Sequence, residues 1–361
     1  MSIKRFLIRL LSFFAKIIKK TLLTAYYNLF FSIFATMKNV TVRILTHSEE
    51  LPEMHCNNFF HSTELFYISE KTPGIKPFMA VAEDESGQVV AHMLATIRTR
   101  GSWLPPYLYT HGRIYGEGEY EDEADKEEIF GLMLKTVTRK FKRRLCLYTE
   151  FSDISQKMFG YRLFRSYGYF PVHWQEIHNS LHSKTPEERI TDKMRQRIQK
   201  SYDAGVVTRE VKDKDEVHAF YKLLNGFYRM KPRRFIPPED QFNELDESNN
   251  AKIFITEYKN KIIGGCACVY SEGNAYLWYL ASKRKSFPAL HPNMMTVWQA
   301  ITYAHQHNYA HIFFLDVGLP FKKNPFREFI LSFGGKPVAK YRWFRFSIPW
   351  INKLLSWWYS E

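Results

Sequence analysis

From Asn39 onward the chain alternates short strand-like apolar runs with longer stretches of helical periodicity. Phe78 to Glu83, a turn over Asp84 to Gly87, and Val89 to Ala95 predict a hairpin. Ile253 to Glu257, a turn over Tyr258 to Lys261, and Ile262 to Tyr270 predict another. Helical spacing runs from Lys126 to Lys142 and from Leu290 to His307, the latter with Met294, Val297, Trp298, Ile301 and Ala304 on one face. Tyr276 to Ala281 has strand composition, and the runs Leu145 to Glu150 and Ile312 to Asp316 both close on an acid. Further helices are predicted over Arg189 to Ala204, stopped by Gly205, and over Asp213 to Phe227.

The two halves keep register. Glu150 and Asp316, Gly168 and Gly334, and Pro171 and Pro337 are all separated by 166 residues. One supersecondary plan therefore occurs twice, which predicts an α/β chain, a mixed α+β sheet flanked by helices in each half. Boundaries follow at 38–182 and 183–347, with a link over His178 to Glu188 and flanking segments at 1–37 and 348–361.

Composition narrows the partners. A formal charge of +14 and 17% aromatic residues describe a basic globular protein with an acidic partner. Cys56, Cys146, Cys266 and Cys268 form no C-x-x-C pair, so reduced core thiols in a cytosolic setting are expected, without zinc or disulfides. Residues 1–37 contain no acid. Arg5, Arg9, Lys16 and Lys19 lie opposite Phe6, Leu10, Phe13 and Ile17, the pattern of a basic helix on an anionic membrane surface; a span over Thr21 to Thr36 and initiation at Met37 are the alternatives. At the other end Ile351, Leu354, Leu355 and Trp358 share a face of an aromatic helix, suited either to a lipid interface or to docking on the core.

Three stretches resemble the tandem GNAT acyltransferases of the FemAB-like family. They are the basic helix Lys193 to Val206, the strand Tyr276 to Ser282 followed by Pro292 to Trp298, and the closing segment Phe326 to Gly335. The resemblance implies two tandem GNAT-like domains, the later one catalytic, and transfer of an aminoacyl or acyl group to an amine. Two departures stand out: Ser282 to His291 has no glycine where the acetyl-CoA-using branch has a glycine-rich loop, and a family lysine falls on Ile330.

The resemblance also implies an oxyanion donor on the strand-four backbone within Leu277 to Leu280, with Tyr279 and Leu280 as candidates; Asp316, at the end of the next strand, is placed either to orient or deprotonate the amine or simply to cap a turn. From the residues themselves, Lys283 and Arg284 precede a helix N-terminus, where an anion is favoured. Arg195, Arg197 and Lys200 form a cationic stripe that can clamp phosphate or lie on a solvated face. Tyr228 and Arg229 open a second basic cluster; Lys322 and Arg327 are candidates to replace the missing family lysine. His111, His305 and His307 lack companions at ligand spacing, so no metal is expected.

No bound cofactor is expected, and the donor stays open between aminoacyl-tRNA, acyl-CoA and acyl carrier protein. The leading expectation is an enzyme peripheral to the cytoplasmic membrane face, acting on a phosphorylated or lipid-linked cell-envelope acceptor such as a peptidoglycan precursor, with tRNA as a further partner. The alternatives are an N-acyltransferase on a sugar amine or amino acid, and a non-catalytic module that binds membrane or nucleic acid.

Overall fold

The computed structural model describes residues 40–101, 107–121, 126–152, 159–229, 235–315, 317–320 and 323–359. The basic segment 1–37, Asp316 and Lys322 lie outside them. The chain has two compact units, 1–41 with 83–88 and 42–82 with 89–361. In the first, the Asp84 carboxylate accepts from the Ser86 and Gln88 amides to close a turn. The site lies wholly in the second.

In chain order the first half contains β1 (Thr41–Leu45), α1 (Thr63–Lys71), β2 (Ile75–Glu83), β3 (Val89–Gly101), β4 (Leu108–Tyr115), β5 (Glu119–Tyr120), α2 (Lys126–Arg143), β6 (Tyr148–Ser152), α3 (Tyr161–Ser166) and β7 (Phe170–Ser180). The second contains α4 (Pro186–Arg189), α5 (Asp192–Asp203), β8 (Val206–Glu210), α6 (Lys214–Tyr228), α7 (Glu239–Asp246), β9 (Ala251–Tyr258), β10 (Lys261–Ser271), β11 (Asn274–Ser282), α8 (Pro292–Gln306), β12 (His311–Phe314), α9 (Pro325–Leu331), β13 (Lys336–Phe346) and α10 (Pro349–Tyr359). The 166-residue interval is kept in three dimensions: α2 and α8, β4 and β11, and β7 and β13 each begin that far apart. Gly168 and Gly334, at φ +78° and +86°, each end a helix in the left-handed conformation just before the closing strand.

Two boundaries differ from expectation. β7 extends to Ser180, so the link is shorter than His178 to Glu188. The helix expected over Arg189 to Ala204 is two helices, because Thr191 caps α5 by accepting from the Met194 amide.

Instead of a separate sheet in each half, the described strands form one mixed sheet, ordered β1-β2-β3-β4-β6-β13-β7-β12-β11-β10-β9-β8, with β5 on β3. The closing strands are exchanged: β7 pairs with β12 of the second half, and β13 pairs with β6 of the first. They also pair with each other antiparallel, from Lys336 opposite His178 to Phe344 opposite Phe170. Neither half has a free edge at the junction.

Apolar residues alternate between two cores. Ile253, Ile255, Ala267 and Val269 pack with Phe66 of α1, Phe220 of α6 and Phe242 of α7. Phe254, Cys266, Cys268 and Leu277 pack with Met295 and Ile301 of α8 and Ile330 of α9. Ile330 is fully buried, so the position where the family resemblance led to a lysine is a core position here. A Cβ on Gly264 would stand 2.4 Å from the Thr296 hydroxyl and 3.1 Å from the Pro292 carbonyl, so this glycine lets the first turn of α8 lie close to β10. Cys146, Cys266 and Cys268 are buried thiols, whereas Cys56 is half-buried rather than a core residue.

Candidate active site

Parallel strands β11 and β12 pair from Asn274 and His311 up to Leu277 and Phe314, where β12 ends. β11 continues to Ser282 with only β10 beside it among the described strands. In the first half the equivalent strands behave oppositely: β4 and β6 start pairing at His111 and Tyr148 and continue to Tyr115 and Ser152. The second copy opens where the first is closed.

Register also slips along β11. Ala267 opposes Tyr279 and Cys268 opposes Leu277, leaving Trp278 as the extra residue of a β-bulge. Trp278 and Tyr279 consequently both join the first core, with Trp278 Nε1 3.2 Å from Tyr115 Oη and the Tyr279 ring 5.2 Å from that of Phe242.

A cavity of about 480 Å³ occupies the opening. Leu277, Trp278, Leu280 and Ser282 of β11 form one wall, Phe314 and Leu315 another; Phe227 and Tyr228 close it from α6, Asn324 to Phe326 and Phe329 from α9, and Arg284 and Asn293 stand at the polar end. Asn324 braces this side by accepting from the Phe326 amide at 3.0 Å and donating to the Val317 carbonyl at 2.6 Å.

On the other sheet face lies a cleft of about 660 Å³, lined by His178, Ser180, Ser183, Arg189, Tyr276, His311, Phe313, Lys336 and Lys340. Leu315 lines both chambers. Buried Glu176 holds Lys340 Nζ and His178 Nε2, each at 2.9 Å, while Arg189 donates to Ser183 Oγ at 2.6 Å. Burial, reinforced by His182, His178 and Arg189, lowers the pKa of His311, as expected in a cationic setting.

The end of β12 is held by both closing strands, β7 and β13. The Leu315 carbonyl accepts from Trp174 Nε1 at 3.2 Å and Arg342 Nη2 at 3.1 Å, and the Arg342 guanidinium stacks 4.1 Å from the Trp174 ring centre. Arg342 also lies 3.3 Å from Glu150, which pairs with Arg113 and stands 3.2 Å from His111 Nε2. Burial by itself would raise the Glu150 pKa; Arg113, His111 and Arg342 outweigh it and hold the carboxyl well below its usual range. This ionic cluster occupies the first-half position equivalent to the opening in the second half.

Of the residues singled out from sequence, Tyr228, Leu280 and Arg284 line the cavity. Tyr279 turns its side chain away into the core because of the bulge. Lys283 and Arg229 are exposed outside the cavity lining. Arg195, Arg197 and Lys200 are exposed on α5 and line neither chamber; Arg195 binds Asp192 and the Glu187 carbonyl. Arg327 is buried and donates to the Leu319 carbonyl at 2.9 Å, a brace for the loop before α9. His111 belongs to the Glu150 cluster, and no grouping of metal-ligating side chains occurs among the described residues. The cleft cations Arg189, Lys336 and Lys340 were missed because they meet only through the exchange of strands. The Asn324-Pro325 pair, a helix-start signal, could have identified the brace.

Residues 189–323 match the model of the Acetyltransferase (GNAT) domain. No curated protein matches the sequence. Among solved structures the fold is similar to FemX, with a TM-score of 0.58 at 11% identity over 83% of this chain and 94% of that one. L-PGS from Bacillus licheniformis gives 0.54 at 13% over 82% and 92%. A tandem GNAT protein from the clavulanic acid biosynthesis pathway gives 0.53 at 9% over 85% and 99%. The opened strand pair and its bulge thus lie in a GNAT acyltransferase domain, residues 189–323, within a chain that has the tandem-GNAT fold of the FemAB-like proteins.

Proposed function

We propose that this protein transfers an aminoacyl or acyl group to an amine of a phosphorylated or lipid-linked cell-envelope acceptor at the cytoplasmic membrane face. The observation that carries this reading is the pair of unlike chambers on opposite faces of β11 and β12, with Leu315 in both walls. The aromatic one suits the transferred group, because its walls exclude water from a reactive ester or thioester. The cationic one suits a phosphate of the acceptor, through Arg189 and Lys336. FemX and L-PGS, which share the fold, support an aminoacyl donor and a cell-wall or lipid-linked acceptor.

In the reaction, the acceptor amine attacks the carbonyl carbon of the donor, the tetrahedral intermediate expels the alcohol or thiol, and the amine proton leaves with it or passes to a base. The β11 backbone beyond Leu277 is the oxyanion donor, and Asp316 the group that orients the amine. Closeness and alignment of the two substrates supply much of the acceleration.

The test is incubation of the purified full chain with aminoacyl-tRNA, acyl-CoA or acyl carrier protein donors and extracted phosphorylated or lipid-linked acceptors, with products identified by mass spectrometry. An acylated acceptor is expected from one donor class. Transfer only from acyl-CoA to a free sugar amine or amino acid would favour an ordinary N-acyltransferase, and no product with any donor would sink the proposal.

A further inference from the structure

α10 is docked on one side and largely exposed to solvent on the other. Asn352 fixes it, accepting from the Phe346 amide at 2.8 Å and donating to the Gly168 carbonyl at 2.9 Å. Leu355 and Tyr359 turn inward, with the Tyr359 ring stacked 6.1 Å from Phe170. Trp350, Leu354, Trp357 and Trp358 fall within about 100° of arc on the outer side and are 67%, 51%, 71% and 72% exposed. Six of the thirteen large hydrophobic residues exposed among the described ones lie between 348 and 359. Soluble surfaces seldom concentrate apolar area in this way, and tryptophan favours the boundary between hydrocarbon and water.

Behind the helix runs an apolar groove of about 570 Å³, walled by Phe170, Val172, Leu319, Phe346 and Leu355. Lys323 and Asn324 stand at its rim, and Asn324 also lines the 480 Å³ cavity. The groove therefore runs from the docked side of α10 to the Asn324 wall of that cavity.

We infer that α10 lies in the interface of an anionic lipid bilayer, with the groove behind it receiving a hydrocarbon chain of a lipid whose polar head is offered to the cavity. The charge is complementary: α10 carries Lys353 and no acid, Lys323 stands at the rim, and the chain is strongly basic. The idea rests on the membrane-face reading above only for the use made of the lipid head; docking itself needs no turnover, so the two fail separately.

The full chain is mixed with vesicles of phosphatidylglycerol and phosphatidylcholine in which the phosphatidylcholine carries brominated acyl chains, and tryptophan fluorescence is recorded. Trp278, Trp298 and Trp343 are buried, but Trp174 lines the groove and Trp103 lies outside the described residues, so the share of the α10 tryptophans is read from the difference between wild type and variant. Vesicles rich in phosphatidylglycerol should quench strongly, and the variant W350F/W357F/W358F should lose at least half of that quenching while still sedimenting with the vesicles. Equal quenching in the variant would overturn the inference. So would sedimentation of the wild type without quenching, which leaves attachment to another segment. A wild type that stays in solution with every vesicle composition would assign the aromatic face to a protein partner and overturn it as well.

Discussion

Glu150→Gln separates the cost of the closed first-half strand pair from that of an ordinary surface change. Glu150, Arg113 and Arg342 are all less than 9% exposed, and the carboxylate serves both guanidinium groups as well as His111. Removing its charge takes from both guanidinium groups a counterion that is buried with them. Breaking one buried pair in this way costs about 3–5 kcal/mol. Because glutamine keeps the shape and one acceptor oxygen, and both arginines have other contacts, the lower figure of about 3 kcal/mol applies. At roughly 1.3 °C per kcal/mol for a chain of this size, the melting midpoint should fall by about 4 °C.

Differential scanning fluorimetry and urea titration measure both quantities, with the exposed Glu187→Gln as a control expected within about 0.5 kcal/mol of wild type. In a cycle with Arg342→Gln, the double variant should cost at least about 1 kcal/mol less than the two singles combined. The folded pKa of Glu150 is depressed, so its contribution is complete above the unfolded value near 4.3 and is lost as pH falls toward the folded one. The gap between wild type and variant should therefore narrow only below about pH 4. A loss under about 1 kcal/mol at neutral pH would refute the reasoning, because the arginines would then be solvated well enough without their counterion.

Steady-state kinetics should show Arg189→Ala and Lys336→Ala each raising KM for a phosphorylated acceptor about tenfold, the equivalent of one charge-assisted contact, with Arg195→Ala within about twofold of wild type. Asn324→Ala should cost about 1–2 kcal/mol in urea denaturation through the lost cap and the lost Val317 contact, and should lower kcat/KM because the cavity wall shifts. Burial holds the pKa of His61 down to about 3, assisted by His92, and that of His111 down to about 4, where Arg113 and Arg98 add to the effect of burial against Glu150. Both stay neutral in the folded chain while the unfolded chain takes up protons below about 6.5. Stability from these groups is thus present above that pH and lost as acid is added toward pH 4, at about two protons or roughly 2.7 kcal/mol per pH unit, which denaturant titrations at pH 7, 6 and 5 would check.

Three residues of the cavity wall could be named before any coordinates. Leu280 and Tyr228 came from an apolar strand and the end of an amphipathic helix, and Arg284 from a basic run before a helix start; all three line the cavity. The arginines of α5 were equally prominent in the sequence and lie elsewhere, because a cationic stripe at helical spacing states which face is polar without stating what that face meets.

The order of elements was written in hydrophobic period and turn chemistry, and the 166-residue repeat declared the second copy before it was seen. Those signals are local, set by backbone geometry within a few residues. Strand partners are not local. That β7 crosses to β12 and β13 to β6, that Trp278 is the extra residue of a bulge, and that one parallel pair is closed by Glu150 while its twin opens into a cavity were decided only in the tertiary structure. Each depends on which of several equally apolar edges a strand joins, and on charges brought together from distant parts of the chain by that choice.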